Sequence, residues 1–390
     1  MKPRINRCVS EMEPSGIRRF FDLAHDIPDV ISLGVGEPDF DTPWHIREQG
    51  IAALRGGKTF YTSNAGLPEL RRAIASYTER QIGVSYDALH EVLITVGGSE
   101  AIDVALRTIL NPGDEAIYCE PCFVCYKPCI ALAGGVPVAI PLKAKDEFRL
   151  RAEDLARAIT DKTRVLVISF PNNPTGAIME KEDLEGIARL CIEHDLLVIS
   201  DEIYADLTYG RKHISIASLP GMRDRTVVIN GFSKAFAMTG WRLGYAMGPA
   251  DILGAMTKVH QFAIMCAPTV SQYAAVEAML HGDADVAVMR ESYDERRRFL
   301  LRAWERMGIP CFEPYGAFYM FPNISEFGMT SEEFATRLLN EEKVAIVPGT
   351  AFGASGEGHL RVSYAYSISE LKAAVERIER FVARLRAEKQ

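Results

Sequence analysis

Short apolar runs alternate with helix-period segments from about Ile51 to Leu280, and this alternation constrains the fold more than any other feature. The run Arg164-Val-Leu-Val-Ile-Ser-Phe170 is almost continuously apolar and rich in β-branched residues. Strands of this kind are buried on both faces, as in a mostly parallel sheet that helices cover on each side. We therefore predict an open α/β sheet flanked by helices. The predicted strands are Val92–Thr95, Ala116–Cys119, Val136–Ile140, Val165–Phe170, Leu196–Ser200, Val227–Asn230 and Gly244–Met247.

The C-terminal part of the chain has a different pattern. A long charged helix is predicted over about Val286–Met307, short strands surround Tyr319 and Arg361, and an amphipathic helix is predicted over Ser369–Ala387. A chain of 390 residues is too long for one small core. We expect a large α/β domain over residues 46–284 and a smaller α+β domain over 285–390. The N-terminal segment 1–45 is expected to join the smaller domain.

Charge and hydropathy exclude several classes of protein. The formal net charge is −8, from 44 Lys and Arg against 52 Asp and Glu, and this argues against a nucleic-acid partner. The basic N-terminus is not followed by the apolar core of a signal peptide. No apolar run is long enough to cross a bilayer. The sequence therefore predicts a cytoplasmic protein without a membrane partner.

One lysine follows a buried strand in the segment Gly231-Phe-Ser-Lys-Ala-Phe-Ala-Met-Thr-Gly-Trp-Arg-Leu-Gly244. The strand Thr226–Asn230 places Lys234 near its carboxyl end, where poor solvation favours the neutral amine. A neutral lysine amine is a nucleophile that forms Schiff bases with aldehydes. Arg242, eight residues later, offers a fixed cation to a phosphate. An aldehyde that also carries a phosphate is the chemistry of pyridoxal phosphate.

Three further polar motifs follow predicted strands. Asp201 comes directly after Leu196–Ser200, Asn172-Asn-Pro-Thr-Gly176 follows Val165–Phe170, and Gly97-Gly-Ser-Glu-Ala101 joins a strand to a helix. Ligands bind at the carboxyl ends of strands in open α/β sheets. A buried carboxylate keeps a pyridine nitrogen protonated, and a glycine turn at a helix N-terminus offers N–H groups to a phosphate. Taken singly, each motif also fits a plain cap or turn.

Four cysteines leave an alternative from another class of protein. Cys119, Cys122, Cys125 and Cys129 have the spacing Cys-x2-Cys-x2-Cys-x3-Cys, which is typical of an iron–sulfur cluster loop in bacterial ferredoxins. However, Cys119 ends an apolar strand, and Ile130 stands where a proline usually follows the last cysteine. We therefore favour buried reduced thiols and predict no metal site.

In combination these motifs resemble a known family. From Gly231 to Gly244 the segment is similar, position by position, to the lysine motif of the class I and II aminotransferases, and the resemblance extends over nearly the whole chain. It indicates the aspartate aminotransferase superfamily with fold type I, and in particular the prokaryotic gamma subgroup and the archaeal-type aromatic aminotransferases. The resemblance implies pyridoxal 5'-phosphate (PLP) as the cofactor and a homodimer as the assembly.

The resemblance also implies a role for each candidate residue. The catalytic candidates are Lys234, which holds the cofactor and moves a proton, Asp201, which faces the ring nitrogen, and Tyr204, which bonds the phenolic oxygen of the ring. The other cofactor-binding candidates are Gly98, Ser99, Phe123, Asn173, Ser233, Arg242 and Tyr61. The candidates for substrate binding are Gly36, Asn173 and Arg361.

Three of these implied roles are specific in geometry. Phe123 would stack on the pyridine ring, and Tyr61 would cross to the phosphate of a neighbouring subunit. Arg361 would meet the substrate α-carboxylate with two parallel hydrogen bonds. The chain departs from the family at Gly231, where a Ser or Thr is frequent, so one hydroxyl for the phosphate is expected to be missing.

The implied activity is transfer of an amino group between an L-amino acid and a 2-oxo acid such as 2-oxoglutarate by a ping-pong mechanism. A PLP-dependent C–S β-lyase of the same fold stays open as an alternative. A dicarboxylate substrate needs a second cation, and this chain has Ser99 where some gamma-subgroup relatives have a lysine. Three residues of the predicted amphipathic segment Ser10–Leu23 are further candidates to bind the second carboxylate: Ser15 by a hydrogen bond, and Arg18 or Arg19 by charge. We predict an aromatic or broad donor preference and leave aspartate open.

Overall fold

The computed structural model describes residues 4–14, 16–17 and 27–389. A seven-stranded sheet lies at its centre, and every predicted strand is confirmed within a residue or two of its predicted bounds. Its strands are β2 (Val92–Thr95), β3 (Glu115–Glu120), β4 (Val136–Pro141), β5 (Thr163–Ser169), β6 (Leu197–Asp201), β7 (Thr226–Gly231) and β8 (Gly244–Met247). Their order is β2-β8-β7-β6-β5-β3-β4, in which β8 runs antiparallel to both neighbours and all other pairs are parallel.

The apolar composition of β5 follows from its burial on both faces. Leu166 and Ile168 pack into a core on one side of the sheet, whereas Val165 and Val167 pack into a second core on the other side. Side chains alternate between the two faces of a strand, so a strand between two cores has no polar face to show. The predicted mostly parallel α/β sheet is confirmed.

Helices cover both faces of this sheet and form the outer layers of the molecule. The long charged helix begins at Asp283, earlier than the predicted start at Val286. The helices are α1 (Arg7–Glu11), α2 (Trp44–Arg55), α3 (Pro68–Ile82), α4 (Gly98–Ile109), α5 (Tyr126–Leu132), α6 (Ala152–Ala158), α7 (Lys181–Glu193), α8 (Ala250–Ala263), α9 (Thr269–His281), α10 (Asp283–Met307), α11 (Ser331–Glu342) and α12 (Ile368–Glu388).

Two small sheets lie in the rest of the chain. In one, β1 (Ile31–Ser32) runs parallel to β10 (Val344–Ala345). In the other, β12 (Leu360–Ser363) pairs antiparallel with both β9 (Tyr319–Met320) and β11 (Val347–Pro348). A separate core joins Leu33 near β1 to residues of α10, α11 and α12. The domain limits at residues 46 and 285 stay a prediction. Within the described residues, no helix combines the length and the apolar character needed to span a membrane.

Candidate active site

Four loops meet at one edge of the central sheet. Because β5, β6 and β7 are parallel, their carboxyl ends lie at the same edge, and β2 points the same way since it is separated from β7 only by the antiparallel β8. Asp201 ends β6, Lys234 follows β7, Asn173 follows β5, and the turn at Gly97 follows β2. Chain direction alone thus gathers the four motifs that the sequence singled out.

These loops enclose a cavity of about 370 Å³. The cavity is lined by every predicted site residue except Tyr61. Those residues are Gly36, Gly98, Ser99, Phe123, Asn173, Asp201, Tyr204, Ser233, Lys234, Arg242 and Arg361. Tyr61 lies outside this lining with 79% of its surface exposed.

Lys234 places its amine inside the cavity. The Nζ atom donates a hydrogen bond to the carbonyl oxygen of Gly36 at 2.6 Å. Burial, helped by the nearby guanidinium groups of Arg361 and Arg242, lowers the pKa of this amine to about 8, against the opposite effect of Glu37. The amine is therefore neutral in an appreciable fraction near neutral pH, as a nucleophile must be.

Asp201 lies on the floor of the cavity, and it too is shifted toward its neutral form. Its Oδ2 atom accepts a hydrogen bond from the hydroxyl of Tyr126 at 2.7 Å, and its Oδ1 atom accepts from the backbone N–H of Ile203 at 3.2 Å. Burial raises the pKa of this carboxyl to about 6 despite these two bonds. A buried carboxylate in that state is stabilised by a cation or by a proton held on its partner.

Arg361 is almost completely buried, and its guanidinium is held in a fixed plane. Nη1 donates to Oδ1 of Asn173 at 3.1 Å, and Nη2 donates to the carbonyl oxygen of Gly34. The rings of Tyr319 and Phe352 flank the guanidinium, with their centroids 4.6 and 4.7 Å from its central carbon. Nε is buried and has no hydrogen-bond partner among the described residues. A buried guanidinium with an unpaired donor in a cavity suits an anionic ligand.

Two glycines leave room that a side chain would fill. A Cβ atom on Gly36 would lie 2.4 Å from the hydroxyl oxygen of Tyr319. Gly97 has φ of +80°, and a Cβ atom there would lie 2.7 Å from Nη2 of Arg242. Gly97 is also the N-cap of α4, so free N–H groups of the helix and a guanidinium face the same space. This arrangement can hold a phosphate.

Sequence reasoning missed the roles of Tyr126 and Tyr319. Tyr126 was not among the predicted site residues, whereas its hydroxyl donates a hydrogen bond to Asp201. Tyr319 was expected only as a landmark of a short strand, whereas its hydroxyl lies 2.7 Å from that of Tyr204. Neither residue stands in a motif whose chemistry is readable from spacing, because both partners are distant in the chain.

The four clustered cysteines lie on opposite sides of the sheet. Cys119 packs into one core, whereas Cys122, Cys125 and Cys129 pack around the other. Burial raises the pKa of the Cys119 thiol to about 12, which makes it a poor metal ligand. Over residues 4–14, 16–17 and 27–389, no group of three or more cysteine, histidine or acidic side chains is arranged to hold a metal ion. The separation of Cys119 from the other three argues against the iron–sulfur alternative.

Comparison with known proteins agrees with this geometry. The family model for aminotransferase class I and II matches residues 28–378. A putative aminotransferase, YugH, of Bacillus subtilis is 51% identical over 98% of this chain and 99% of its own length. An aspartate aminotransferase of Pyrococcus abyssi is 47% identical over 95% of this chain and 96% of its own. A solved aromatic aminotransferase from Pyrococcus horikoshii OT3 superposes with a TM-score of 0.90 at 46% identity, over 94% of this chain and 99% of that structure.

Proposed function

Because this chain belongs to the class I and II aminotransferase family, we propose that it moves the amino group of an aromatic or other uncharged L-amino acid to a 2-oxo acid such as 2-oxoglutarate. The enzyme is PLP-dependent, and the reaction proposed is ping-pong, with the amino group held on the cofactor between the two substrates. The charged side chains that line the cavity are the main support for proposing an uncharged amino-acid substrate.

Among the described lining residues the cavity has three cations, and each has a task. In the proposed reaction Lys234 attaches the cofactor, Arg242 holds its phosphate and Arg361 binds the substrate α-carboxylate; all three line the cavity. Glu37 adds a carboxylate that accepts a hydrogen bond from the hydroxyl of Thr239. A carboxylate on the substrate side chain would have no cation of its own here and would lie near Glu37, which is unfavourable.

The apolar part of the lining suits an uncharged side chain. Ile17, Val35 and Phe123 contribute apolar surface to the cavity. Burying an aromatic side chain there is favoured by about 25 cal/mol per Å² of apolar surface removed from water. Ser15, Arg18 and Arg19, the residues predicted as candidates for a second carboxylate, lie outside the described residues. The tolerance for 2-oxoglutarate is therefore proposed to come from a group beyond the described lining.

The residues present fit the cofactor. Bound PLP supplies an aldehyde and a ring that takes up negative charge. The amine of Lys234 would attach it, Asp201 would face the ring nitrogen, and Phe123 would lie on the ring face. Tyr204 and Asn173 would bond the phenolic oxygen. The phosphate would be held by Gly98, Ser99, Ser233 and Arg242, with Tyr61 from a second copy.

The chain's own residues account for orientation and proton transfer. Arg361 and Asn173 hold the substrate by its α-carboxylate, which directs the α-carbon toward Lys234. The Nζ atom of Lys234 then takes the α-proton as a base and later returns it as an acid. A pKa of about 8 keeps both forms of this amine accessible near neutral pH. The Gly36 carbonyl oxygen, 2.6 Å from Nζ, gives the amine a fixed acceptor.

A homodimer completes this proposal. Phe60, Tyr61 and Phe262 are 82%, 79% and 87% exposed. Hydrogen bonds from Thr269 Oγ1 to the Phe60 carbonyl oxygen and from Asn64 Nδ2 to the Met265 carbonyl oxygen, at 2.6 and 2.9 Å, hold their two segments together. So much exposed aromatic surface on one face suits a contact between copies. A cytoplasmic location stays a prediction.

The test is a screen of amino acids on the holoenzyme, following the absorbance of the bound cofactor and then steady-state rates with 2-oxoglutarate. We expect kcat/KM for phenylalanine or tyrosine to be at least equal to that for aspartate. Glu37→Gln should raise kcat/KM for aspartate relative to phenylalanine, because it removes a like charge. A large preference of the unaltered enzyme for aspartate would overturn the substrate proposal. Release of pyruvate and ammonia in place of amino transfer would support the β-lyase alternative.

A further inference from the structure

Tyr319 lines the cavity and contacts both Tyr204, a proposed cofactor-binding residue, and Arg361, the proposed site of the substrate α-carboxylate. It is fully buried in β9, where it pairs with Ser363 of β12, the strand that carries Arg361. Its hydroxyl oxygen is 2.7 Å from the hydroxyl oxygen of Tyr204. Its ring centroid is 4.6 Å from the central guanidinium carbon of Arg361. We propose that Tyr319 is a positioning residue, which directs the hydroxyl proton of Tyr204 to the cofactor and holds the guanidinium plane of Arg361 for the substrate.

The first task follows from counting protons. Each hydroxyl has one proton to donate, and burial raises the pKa of both tyrosines, so both stay protonated near neutral pH. Among the described residues, Tyr204 is the hydrogen-bond partner recorded for the Tyr319 hydroxyl. When Tyr204 gives its proton to the phenolic oxygen, which is its proposed role, the contact between the tyrosines survives only if Tyr319 donates. A bond donated into the oxygen of Tyr204 also polarises its O–H group and strengthens its own donation.

The second task uses the face of the ring. The ring centroids of Tyr319 and Phe352 lie 4.6 and 4.7 Å from the central guanidinium carbon of Arg361. Aromatic faces attract a desolvated cation, and a fixed plane keeps two N–H groups parallel for a carboxylate. Gly36 is part of the same arrangement, because a Cβ atom there would come within 2.4 Å of the Tyr319 hydroxyl oxygen. The hydroxyl of Tyr319 thus contacts Tyr204, whereas its ring contacts Arg361. Substitutions that remove only the hydroxyl or the whole ring can therefore distinguish the two roles.

The hydroxyl is tested by a cycle of Tyr319→Phe, Tyr204→Phe and the double variant, each loaded with PLP. The readouts are the pH midpoint at which the absorbance of the bound cofactor changes, and the dissociation constant of PLP. A hydrogen bond to the phenolic oxygen stabilises its negative charge and so lowers this midpoint. We expect Tyr204→Phe to raise the midpoint and Tyr319→Phe to raise it by roughly half a pH unit, the scale of one hydrogen bond. The double variant should shift no further than Tyr204→Phe alone.

The ring is tested with Phe352→Leu as the matched control. This substitution removes the other aromatic face from Arg361 and leaves the Tyr319 hydroxyl in place. We expect it to weaken binding of 3-phenylpropionate, a carboxylate that cannot react, by about 3- to 10-fold without moving the pH midpoint. Tyr319→Phe should leave the affinity for this analogue unchanged. Tyr319→Leu should affect both readouts, and thermal unfolding establishes that each variant is folded.

Three results would each overturn a different part of the inference. If Tyr204→Phe moves the midpoint and Tyr319→Phe does not, or if their shifts add in the double variant, Tyr319 does not direct the proton of Tyr204. If Tyr204→Phe itself leaves the midpoint unchanged, the proposed role of Tyr204 fails, and the inference that rests on it fails with it. An equal loss of analogue affinity in Tyr319→Phe and Tyr319→Leu would assign the effect on Arg361 to the hydroxyl and not to the ring.

Discussion

Lys234 and Asp201 show at the scale of single residues how the cavity prepares for its cofactor. Burial lowers the pKa of the lysine amine to about 8 and raises the pKa of the carboxyl to about 6, so each group is shifted toward its neutral form. For the lysine this shift creates a nucleophile. For the aspartate, burial makes the charged form costly unless a positive group lies beside it, and in the proposed reaction the protonated ring nitrogen would be that group. Burial thus favours both the neutral amine that would attach the cofactor and the pairing of Asp201 with a positive group on the cofactor ring.

The lowered pKa of Lys234 leads to a prediction on cofactor loading. Only the neutral amine attacks an aldehyde, and the folded-state pKa lies below the ordinary value of 10.5. The rate of covalent capture of PLP by the apoenzyme should therefore rise with pH and level off above about pH 8. The measurement is borohydride reduction at timed intervals, followed by mass spectrometry of the chain. Lys234→Ala is the control and should retain no reduced cofactor. A rate that climbs steadily to pH 10 would contradict the prediction.

Single residues also mark the limit of what the sequence predicts. Asp201 was predictable because it directly follows an apolar run that indicates a buried strand, and Lys234 because it lies in the short turn after another such run. Tyr319 was not, because it acts through Tyr204, 115 positions away, and through the strand that carries Arg361. A contact of that kind depends on how two distant segments of the chain pack together. No local pattern in the chain records it.

The same contrast holds for whole elements. The strands of the central sheet were predictable because most of them are short apolar runs, and β5, β6 and β7 are largely buried. By contrast, β1, β9, β10 and β11 have two residues each, too few to show a period of two. The start of α10 was placed too late, because its first turn contains Asp283 and Asp285 and reads as a polar loop. Acidic residues are nevertheless favoured in a first turn by the helix dipole.

The N-terminus of α4 gives a prediction at this scale. Gly97→Ala should weaken PLP binding by about tenfold or more, because the new Cβ would both strain a positive φ and displace Arg242 from the phosphate turn. Gly113→Ala is the matched control, since Gly113 also has a positive φ of +92° but no atom of the described residues lies within 4 Å of its added Cβ. Both variants should lose roughly 1–2 kcal/mol of stability from backbone strain. Equal PLP affinities in the two variants would contradict the role given to this turn.

At the scale of the whole molecule, the cavity joins parts of the chain that fold into different sheets. Gly36 lies near β1, Lys234 follows β7 of the central sheet, and Arg361 lies in β12. Tyr61 is the predicted site residue that the single chain does not bring to this cavity, and it stands beside other exposed aromatic residues. Its position is consistent with a site that two copies of the chain complete together.

Hybrid dimers test whether Tyr61 acts on the neighbouring copy. Lys234→Ala subunits lack the reacting amine, and Tyr61→Ala subunits should bind PLP weakly, so each homodimer should be nearly inactive. A hybrid dimer would contain one site with Lys234 from one subunit and Tyr61 from the other, and equal mixing should restore about a quarter of the activity of the unaltered enzyme. Lys234→Ala mixed with Asp201→Ala is the control and should restore none, since both changes lie in the cavity of the same chain. Absence of recovery in hybrid dimers verified by mass would place Tyr61 outside the neighbouring site. Recovery in the mixture with Tyr61→Ala but not in the mixture with Asp201→Ala would show that the exposed aromatic face supplies Tyr61 to the neighbouring site.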